Sequence, residues 1–162
     1  MATMNAETAE LVKSGFLAAV PFARTLGVEF VELDHGHAVL RLPDRQEHHN
    51  HIGGPHAGAM FTLAESASGA IVIASFGDQL DRAVPLAVSA EIHYAKKAMG
   101  DVIADARLGR AAQEVVAELD AGTRPEFPVE IELRTADGTV TGAMTVVWTL
   151  KANPGGRPAD GG

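Results

Sequence analysis

Residues 56–76 read HAGAMFTLAESASGAIVIASF, and this stretch carries the main information about the architecture. Between Met60 and Phe76 the only charged residue is Glu65. A helix that is apolar around most of its circumference is buried, whereas a surface helix keeps one polar face. The stretch therefore predicts one long helix inside the molecule. A membrane span is not expected, because the run is short, contains a carboxylate and has no basic flank.

Patterns on either side of this helix predict strands and two further helices. Helical spacing of apolar residues predicts an amphipathic helix over residues 6–20, followed by a turn from Phe22 to Gly27. The sequence AAQEVVAELDA predicts a second, inserted helix over residues 111–121. Apolar runs bounded by turn signals predict strands. These are Val28–Leu33, His37–Leu42, Val84–Tyr94, Asp101–Leu108, Glu126–Thr135 and Thr139–Leu150.

One long buried helix followed by antiparallel strands is typical of an α+β domain in which the sheet wraps the helix. The chain has 162 residues, which allows about one domain. We predict that this domain covers residues 1–150. A Pro- and Gly-rich segment follows, and residues 151–162 are expected to form a disordered tail.

The charge and the absence of cysteine exclude several classes of function. The net charge is −8, so a nucleic-acid partner is not expected. There is no cysteine, and therefore no disulfide, thiol nucleophile or thiolate metal site. The first residues, MATMNAETAE, lack the basic flank and apolar core of a signal peptide. We expect a cytoplasmic location.

Glu65 is the strongest candidate for chemistry. Apolar neighbours on the helix would strip water from its carboxylate, raising its pKa and making it a better base. Two other readings stay open, in which Glu65 pairs with an arginine or that side of the helix meets water. Upstream, a glycine-bearing turn leads into the helix near His56, where unpaired N–H groups can stabilise a negatively charged oxygen. Ala57 and Gly58 are small enough for a substrate to approach closely.

The pattern N-x6-(G/A)-G-x6-(E/D) occurs here as Asn50, Ala57-Gly58 and Glu65 in HNHIGGPHAGAMFTLAES. It resembles the helix region of hotdog-fold acyl-CoA thioesterases, particularly the phenylacetate-degradation (PaaI-like) type. The likeness extends over about residues 23–150 and includes LAVSAEIHYAKKAMGD after the helix. It implies a hotdog fold, side-by-side pairing of subunits, and hydrolysis of an acyl-CoA thioester to free acid and CoA. CoA would be part of the substrate, and no cofactor is expected.

The resemblance also assigns roles to individual residues. Glu65 matches the acid that serves as base or nucleophile, Ala57 the backbone N–H that polarises the thioester carbonyl, and Asn50 the polar side chain beside the carbonyl or water. Gly69 matches a position that often carries a hydroxyl in relatives. Relatives commonly have HGG where this chain has HAG at residues 56–58. The methyl group of Ala57 narrows the path by which a substrate approaches the start of the helix. The segment 111–123 is an addition to the minimal fold.

Helix geometry indicates that one helix cannot supply both groups to one carbonyl. Ala57 and Glu65 are eight positions apart, which is about 12 Å along a helix. Reacting groups have to lie about 3.5 Å from one another. A two-fold dimer solves this problem if Ala57 and Asn50 of one subunit face Glu65 of the other. We therefore predict a site at a subunit interface, in a dimer or a dimer of dimers.

Other residues admit several interpretations. His51 lies 14 positions before Glu65, a spacing that resembles the acid and base of hotdog hydratases and dehydratases. A non-catalytic acyl-CoA binding protein is a further alternative. Lys96 and Lys97 could hold the phosphates of CoA or form an ordinary solvated strand end. Trp148 is expected to serve sheet packing. No metal is expected, since the loop histidines, His56 among them, lack a ligand spacing and instead suit a solvated or substrate-lining loop.

Overall fold

The computed structural model describes residues 3–155, which form four α-helices and one six-stranded sheet. The helices are α1 (Ala6–Ala19), α2 (Pro21–Leu26), α3 (Ala57–Phe76) and α4 (Ala112–Asp120). The strands are β1 (Glu29–Asp34), β2 (His37–Leu42), β3 (Ala83–Tyr94), β4 (Val102–Leu108), β5 (Glu126–Thr135) and β6 (Val140–Ala152). The predicted α+β class is confirmed.

All six strands are antiparallel to their neighbours, in the order β1-β2-β4-β5-β6-β3. Tight turns join β1 to β2 and β5 to β6, where Gly36 and Gly138 have φ values of 72° and 89°. Glycine has no Cβ and adopts this left-handed conformation without steric cost. The connection from β2 to β3 contains α3 and carries the chain to the far edge of the sheet. β3 is therefore an edge strand that pairs with β6 alone.

The long helix α3 is the core of the molecule, and the sheet wraps it as predicted. It packs against β2, β4 and β5, and Leu63, Ile71 and Phe76 are completely buried. Burial of each such side chain contributes about 1.5–3 kcal/mol. The helix is long and apolar enough to span a membrane, but 67% of its most apolar window is buried inside the protein. Its apolar composition is thus explained by the core.

The segment from Phe22 to Gly27 differs from the prediction. We expected a turn there, but residues Pro21–Leu26 form the short helix α2. Pro21 occupies the first helical turn, where a missing N–H costs nothing, and its fixed φ suits a helix. Gly27 ends the helix in the left-handed conformation, with φ 77°. Proline therefore ends one helix and begins the next.

The end of the domain also lies slightly beyond the predicted point. β6 continues through Lys151 to Ala152, so these two residues of the predicted tail are part of the sheet. Residues 156–162 lie outside the described residues. The inserted helix is present as α4, with Val115 and Leu119 buried against the core. An ion pair of 2.7 Å from Arg110 to Glu118 holds it to the preceding loop.

Candidate active site

The turn before α3 is organised by Asn50. The side-chain oxygen of Asn50 accepts hydrogen bonds from the backbone N–H groups of Ile52 and Gly54, at 3.0 and 3.2 Å. Its amide group donates to the carbonyl of Pro55 at 3.3 Å. Such local bonds give the backbone an alternative to regular structure and fix a compact turn. Asn50 therefore sets where the helix begins, and a contact of its side chain with substrate stays a prediction.

The first turn of α3 leaves one backbone donor free. Gly58 N–H donates to Nδ1 of His56 at 2.8 Å, so the side chain of His56 caps the helix and occupies that donor. The N–H groups of Ala59 and Met60 donate to the carbonyl of His56. Within residues 3–155 the N–H of Ala57 has no hydrogen-bond partner. It lies at the positive end of a 20-residue helix, where it favours a negatively charged oxygen.

Glu65 lies a little over two helical turns beyond Ala57, in an apolar pocket between α1, α3 and the sheet. The pocket has a volume of about 190 Å³ and is lined by Phe16, Val20, Glu65, Gly69, Val72, Ile73, Pro85 and Trp148. Burial raises the pKa of the Glu65 carboxyl above its ordinary value. Among the described residues no Lys, Arg or His forms an ion pair with it. The reading in which Glu65 pairs with an arginine therefore receives no support, and the side chain of Glu65 is half-buried.

A hydrogen-bonded chain fixes the wall of this pocket. Ser68 Oγ donates to the carbonyl of Glu65 at 2.7 Å, and Trp148 Nε1 donates to Ser68 Oγ at 3.0 Å. Ser68 is completely buried and Trp148 is only 8% exposed. Buried N–H and O–H groups require such partners, and the bonds set the orientation of the ring. The indole therefore presents a fixed apolar surface beside Glu65 and Gly69.

The start of α3 borders a different cavity. His56 and Gly58 line it together with Phe22, Leu26, Glu47, His48, His49, Ala59 and Thr62, and its volume is also about 190 Å³. Neither Glu65 nor Gly69 borders this cavity, and no residue lines both. The two larger depressions, of about 500 and 380 Å³, lie on the solvent-exposed face of the sheet and do not contain Glu65.

The segment after β3 packs beside the turn that precedes α3. The hydroxyl of Tyr94, the last residue of β3, donates to the carbonyl of Ala57 at 3.0 Å. Gly54 lies so close to Ala98 that a Cβ at Gly54 would be 2.5 Å from the Ala98 carbonyl oxygen. Lys96 and Lys97 lie between these two contacts. Both are exposed, and neither forms an ion pair within residues 3–155.

The histidines of the loop before α3 lie at or near the surface, and His49 forms a hydrogen bond within the same loop. His51 is exposed in the turn and borders neither the Glu65 pocket nor the cavity at the helix start. His49 Nε2 bonds to Asp44 at 2.6 Å. Nδ1 of His48 is buried and has no hydrogen-bond partner in the described part of the chain. Over the same part of the chain, no three His, Asp or Glu residues are grouped to hold a metal ion.

Sequence reasoning missed most of the pocket around Glu65. Phe16 and Val20 come from the end of α1 and Pro85 comes from β3, and no local pattern brings these two segments to Glu65. The sequence pattern predicts a role in sheet packing for Trp148, and the structure shows that this side chain also borders the pocket. A signal existed in its indole N–H, since a buried tryptophan requires an acceptor, and Ser68 is the polar residue of the apolar helix that supplies one.

The family model described as a domain of unknown function, DUF4442, matches residues 8–150. The chain belongs to the DUF4442 family. No curated protein matches the sequence. One similar solved structure is PA5026 from Pseudomonas aeruginosa, a protein of unknown function described as a probable thioesterase. It is 27% identical, with a TM-score of 0.79, over 89% of this chain and 95% of that one.

Two further structures similar to this DUF4442 member share its fold at lower identity. The E. coli PaaI protein of the phenylacetic acid degradation operon is 16% identical with a TM-score of 0.70, over 93% of this chain and 96% of that one. A thioesterase family protein from Silicibacter pomeroyi is 19% identical with a TM-score of 0.72, over 90% and 98%. These matches confirm the predicted hotdog fold and the resemblance to this thioesterase group.

Proposed function

We propose that the protein hydrolyses the thioester of an acyl-CoA, giving a free acid and CoA. The observation that carries this proposal is Glu65, a carboxylate in an apolar pocket that has no cationic partner within residues 3–155 and whose pKa is raised by burial. A base with a pKa raised toward neutral pH transfers protons most effectively. The likeness to the probable thioesterase PA5026 supports the reaction class. We keep the cytoplasmic location as part of this proposal.

In the base route, Glu65 takes a proton from water as the water oxygen forms a bond to the thioester carbon. The carbonyl oxygen becomes an oxyanion, which accepts a hydrogen bond from the Ala57 N–H and is stabilised by the helix dipole. When the tetrahedral intermediate collapses, the carbon–sulfur bond breaks. The protonated Glu65 then returns its proton to the thiolate, so the products are carboxylic acid and thiol.

In the nucleophile route, the carboxylate of Glu65 attacks the thioester carbon itself. The thiolate leaves, and a mixed anhydride of Glu65 and the acyl group remains. Water then cleaves this anhydride to the carboxylic acid and the free carboxylate of Glu65, and the remaining proton of the water goes to the thiolate. A single turnover in H₂¹⁸O identifies the nucleophile route if ¹⁸O appears in the enzyme, since only attack of water on the Glu65 carbonyl of the anhydride places it there.

The placement of β3 supports a site shared by two copies. Tyr94, at the end of β3, contacts the first residue of α3, and Pro85, near its start, borders the Glu65 pocket. β3 is a 12-residue edge strand whose outer backbone groups are unpaired within the described chain. Such an edge is a template for pairing with another chain. We infer that two copies join their β3 strands antiparallel about a two-fold axis.

This pairing brings the start of one β3 next to the end of the other. With the axis between Ser89 and Ala90, Pro85 of one protomer lies opposite Tyr94 of its partner. The pocket of Glu65 in one copy then faces the free Ala57 N–H of the other. Within one chain Glu65 and the start of α3 border separate cavities, which supports a site that a second copy completes.

The lysines beside the helix start suit the CoA end of the substrate. Lys96 and Lys97 are exposed and without ion pairs in residues 3–155, in a chain with a net charge of −8. They lie beside the turn that precedes Ala57, so the phosphates of a bound CoA could extend outward past them. Ammonium groups bind phosphate oxygens through charge-assisted hydrogen bonds. The acyl group would then point in the opposite direction, toward Glu65.

The test is release of free thiol from short, medium, long and aromatic acyl-CoA thioesters, followed with a thiol reagent. We expect turnover of at least one class, and a loss of about 10²- to 10⁴-fold in Glu65→Gln, the range that a general base contributes. Circular dichroism checks that the variant is folded. No thiol release by the wild-type protein from any class would reject the hydrolase and favour an acyl-CoA binding protein.

A further inference from the structure

The shape of the Glu65 pocket limits the acyl group that the protein accepts. Its walls come from α1, α3, β3 and β6 of one chain, and Glu65 is the only charged residue among the eight that line it. Beyond Glu65 the wall continues along α3 through Gly69 to Ile73, over about 12 Å at 1.5 Å per residue. Aromatic rings and branched aliphatic side chains form the rest. An apolar chain, and not a polar one, fits this lining.

The volume of the pocket sets a scale for that chain. A cavity of roughly 150 Å³ with apolar walls accepts benzene, which has six carbon atoms, so each carbon takes about 25 Å³. The pocket measures about 190 Å³. It therefore has room for about six to eight carbon atoms.

Gly69 leaves a gap between α3 and two aromatic rings of the pocket wall. A Cβ placed on Gly69 would lie 3.5 Å from Cε2 of Phe16 and 3.8 Å from the Trp148 ring. These are ordinary van der Waals distances, so the missing side chain leaves a gap about one methyl group wide between the helix and the two rings. Neither ring can readily move away, because Phe16 packs edge-on against Phe30 and Trp148 is bonded to Ser68.

We propose that this pocket binds the acyl chain of the thioester, that it accepts an apolar group of about six to eight carbon atoms, and that the bare backbone at Gly69 sets the limit. The inference rests on the proposed function for its reaction, and on the pocket walls for its length scale. The contacts of Gly69 give it a direct test, since Gly69→Ala fills the gap without a clash.

We expect kcat/KM to rise with the length of the acyl chain up to a certain number of carbon atoms and then to level off; this length is called the break. Each buried methylene contributes about 0.8 kcal/mol, or about fourfold in kcat/KM. We expect this increase to continue until the pocket is full and then to stop. Gly69→Ala should move the break about one carbon shorter, and Val20→Ala, which removes two carbons from the wall, about two carbons longer.

Gly15→Ala is the matched control. Gly15 lies in the interior of α1, and a Cβ there would meet nothing within 4 Å. The substitution shares the helix-stabilising effect of Gly69→Ala, because alanine is the better helix former, but it leaves the pocket unchanged. The break should stay at the wild-type length in this variant. A break that does not move in Gly69→Ala, or no break up to 14 carbons in the wild type, would overturn the proposal.

Fluorescence of Trp148 separates this inference from the reaction. Trp148 is the only tryptophan of the chain and borders the pocket, so a bound chain changes its emission. S-alkyl-CoA thioethers have no carbonyl and undergo no hydrolysis. If no thioester is hydrolysed but thioether affinity breaks at six to eight carbons and the break moves in Gly69→Ala, the pocket assignment stands and the reaction does not. If thioesters are hydrolysed but the break stays at the same acyl length in Gly69→Ala, the reaction stands and the pocket assignment does not.

Discussion

Replacing Ala57 by proline removes the proposed oxyanion donor at very low structural cost. Ala57 is the first residue of α3, a position where proline is favoured because its missing N–H has no partner in the helix. The preceding residue, His56, has φ −61° and ψ 142°, the extended conformation that residues before proline adopt. The N–H that is lost makes no hydrogen bond to any residue in the range 3–155.

The structure therefore separates the effect on activity from the effect on stability. A proline that fits the native backbone stabilises a protein by about 0.4–1 kcal/mol, so Tm should rise by about 1–4 °C. Loss of one oxyanion donor lowers kcat by about 10²- to 10³-fold, which corresponds to about 2.7–4 kcal/mol in the transition state. The variant should be well folded and nearly inactive.

The assay is thiol release with the best acyl-CoA substrate, together with thermal unfolding followed by circular dichroism. Ala57→Gly serves as the matched variant, since it changes the same side chain but keeps the N–H, and its kcat should stay within about tenfold of wild type. The reasoning is refuted if Ala57→Pro keeps more than a tenth of the wild-type kcat while folded. A loss of equal size in Ala57→Gly would show that the side chain, and not the donor, matters.

Burial raises the pKa of Glu65, so kcat/KM should fall as the pH decreases through that raised pKa, and the profile should show a midpoint above the ordinary glutamate value of 4.5. Because the folded-state pKa of Glu65 is raised, ionisation of this carboxyl lowers the free energy of unfolding as the pH rises from the unfolded-state pKa to the folded-state pKa. Glu65→Gln should therefore raise the free energy of unfolding at pH 7, and this gain should disappear at acid pH. An unfolding titration that shows the reverse sign would contradict the assignment. Reversing the charge of Lys96 and Lys97 together should raise KM by about fivefold and kcat much less, with an effect that shrinks at high salt; an unchanged KM at low salt would remove the lysines from the CoA site. Ala90→Lys on the edge of β3 should yield monomers in analytical ultracentrifugation and abolish turnover with them, and an active monomer would refute pairing through this strand.

The sequence was sufficient to predict elements whose patterns are local. The apolar run around Glu65 predicted α3 to within one residue of its start, with His56 as the cap. β2 and β5 match their predicted limits, because turn signals bound them on one side or the other. The segment after Pro21 was predicted wrongly, since proline was interpreted as an end although it also suits the first turn of a helix.

The pocket could be predicted only in part, for a physical reason. The acid and Gly69 are one turn apart on α3, so their shared surface follows from helical periodicity. Phe16, Pro85 and Trp148 reach the same pocket from α1, β3 and β6. Their meeting depends on the strand order, in which β3 lies beyond β6 at the edge of the sheet, and no pattern within a short stretch of sequence encodes that order.

A purified mixed dimer tests whether two chains share each site. The Glu65→Gln and Ala57→Pro chains are co-expressed with different affinity tags, and the mixed dimer is isolated through both tags. In this dimer one chain supplies an intact Ala57 N–H and the other supplies an intact Glu65. Each parent alone should be nearly inactive. In a two-fold dimer with shared sites, one site of the mixed pair is complete, so it should recover about half of the wild-type kcat. Activity no higher than that of the parents would show that each chain builds its site alone and would contradict the shared site.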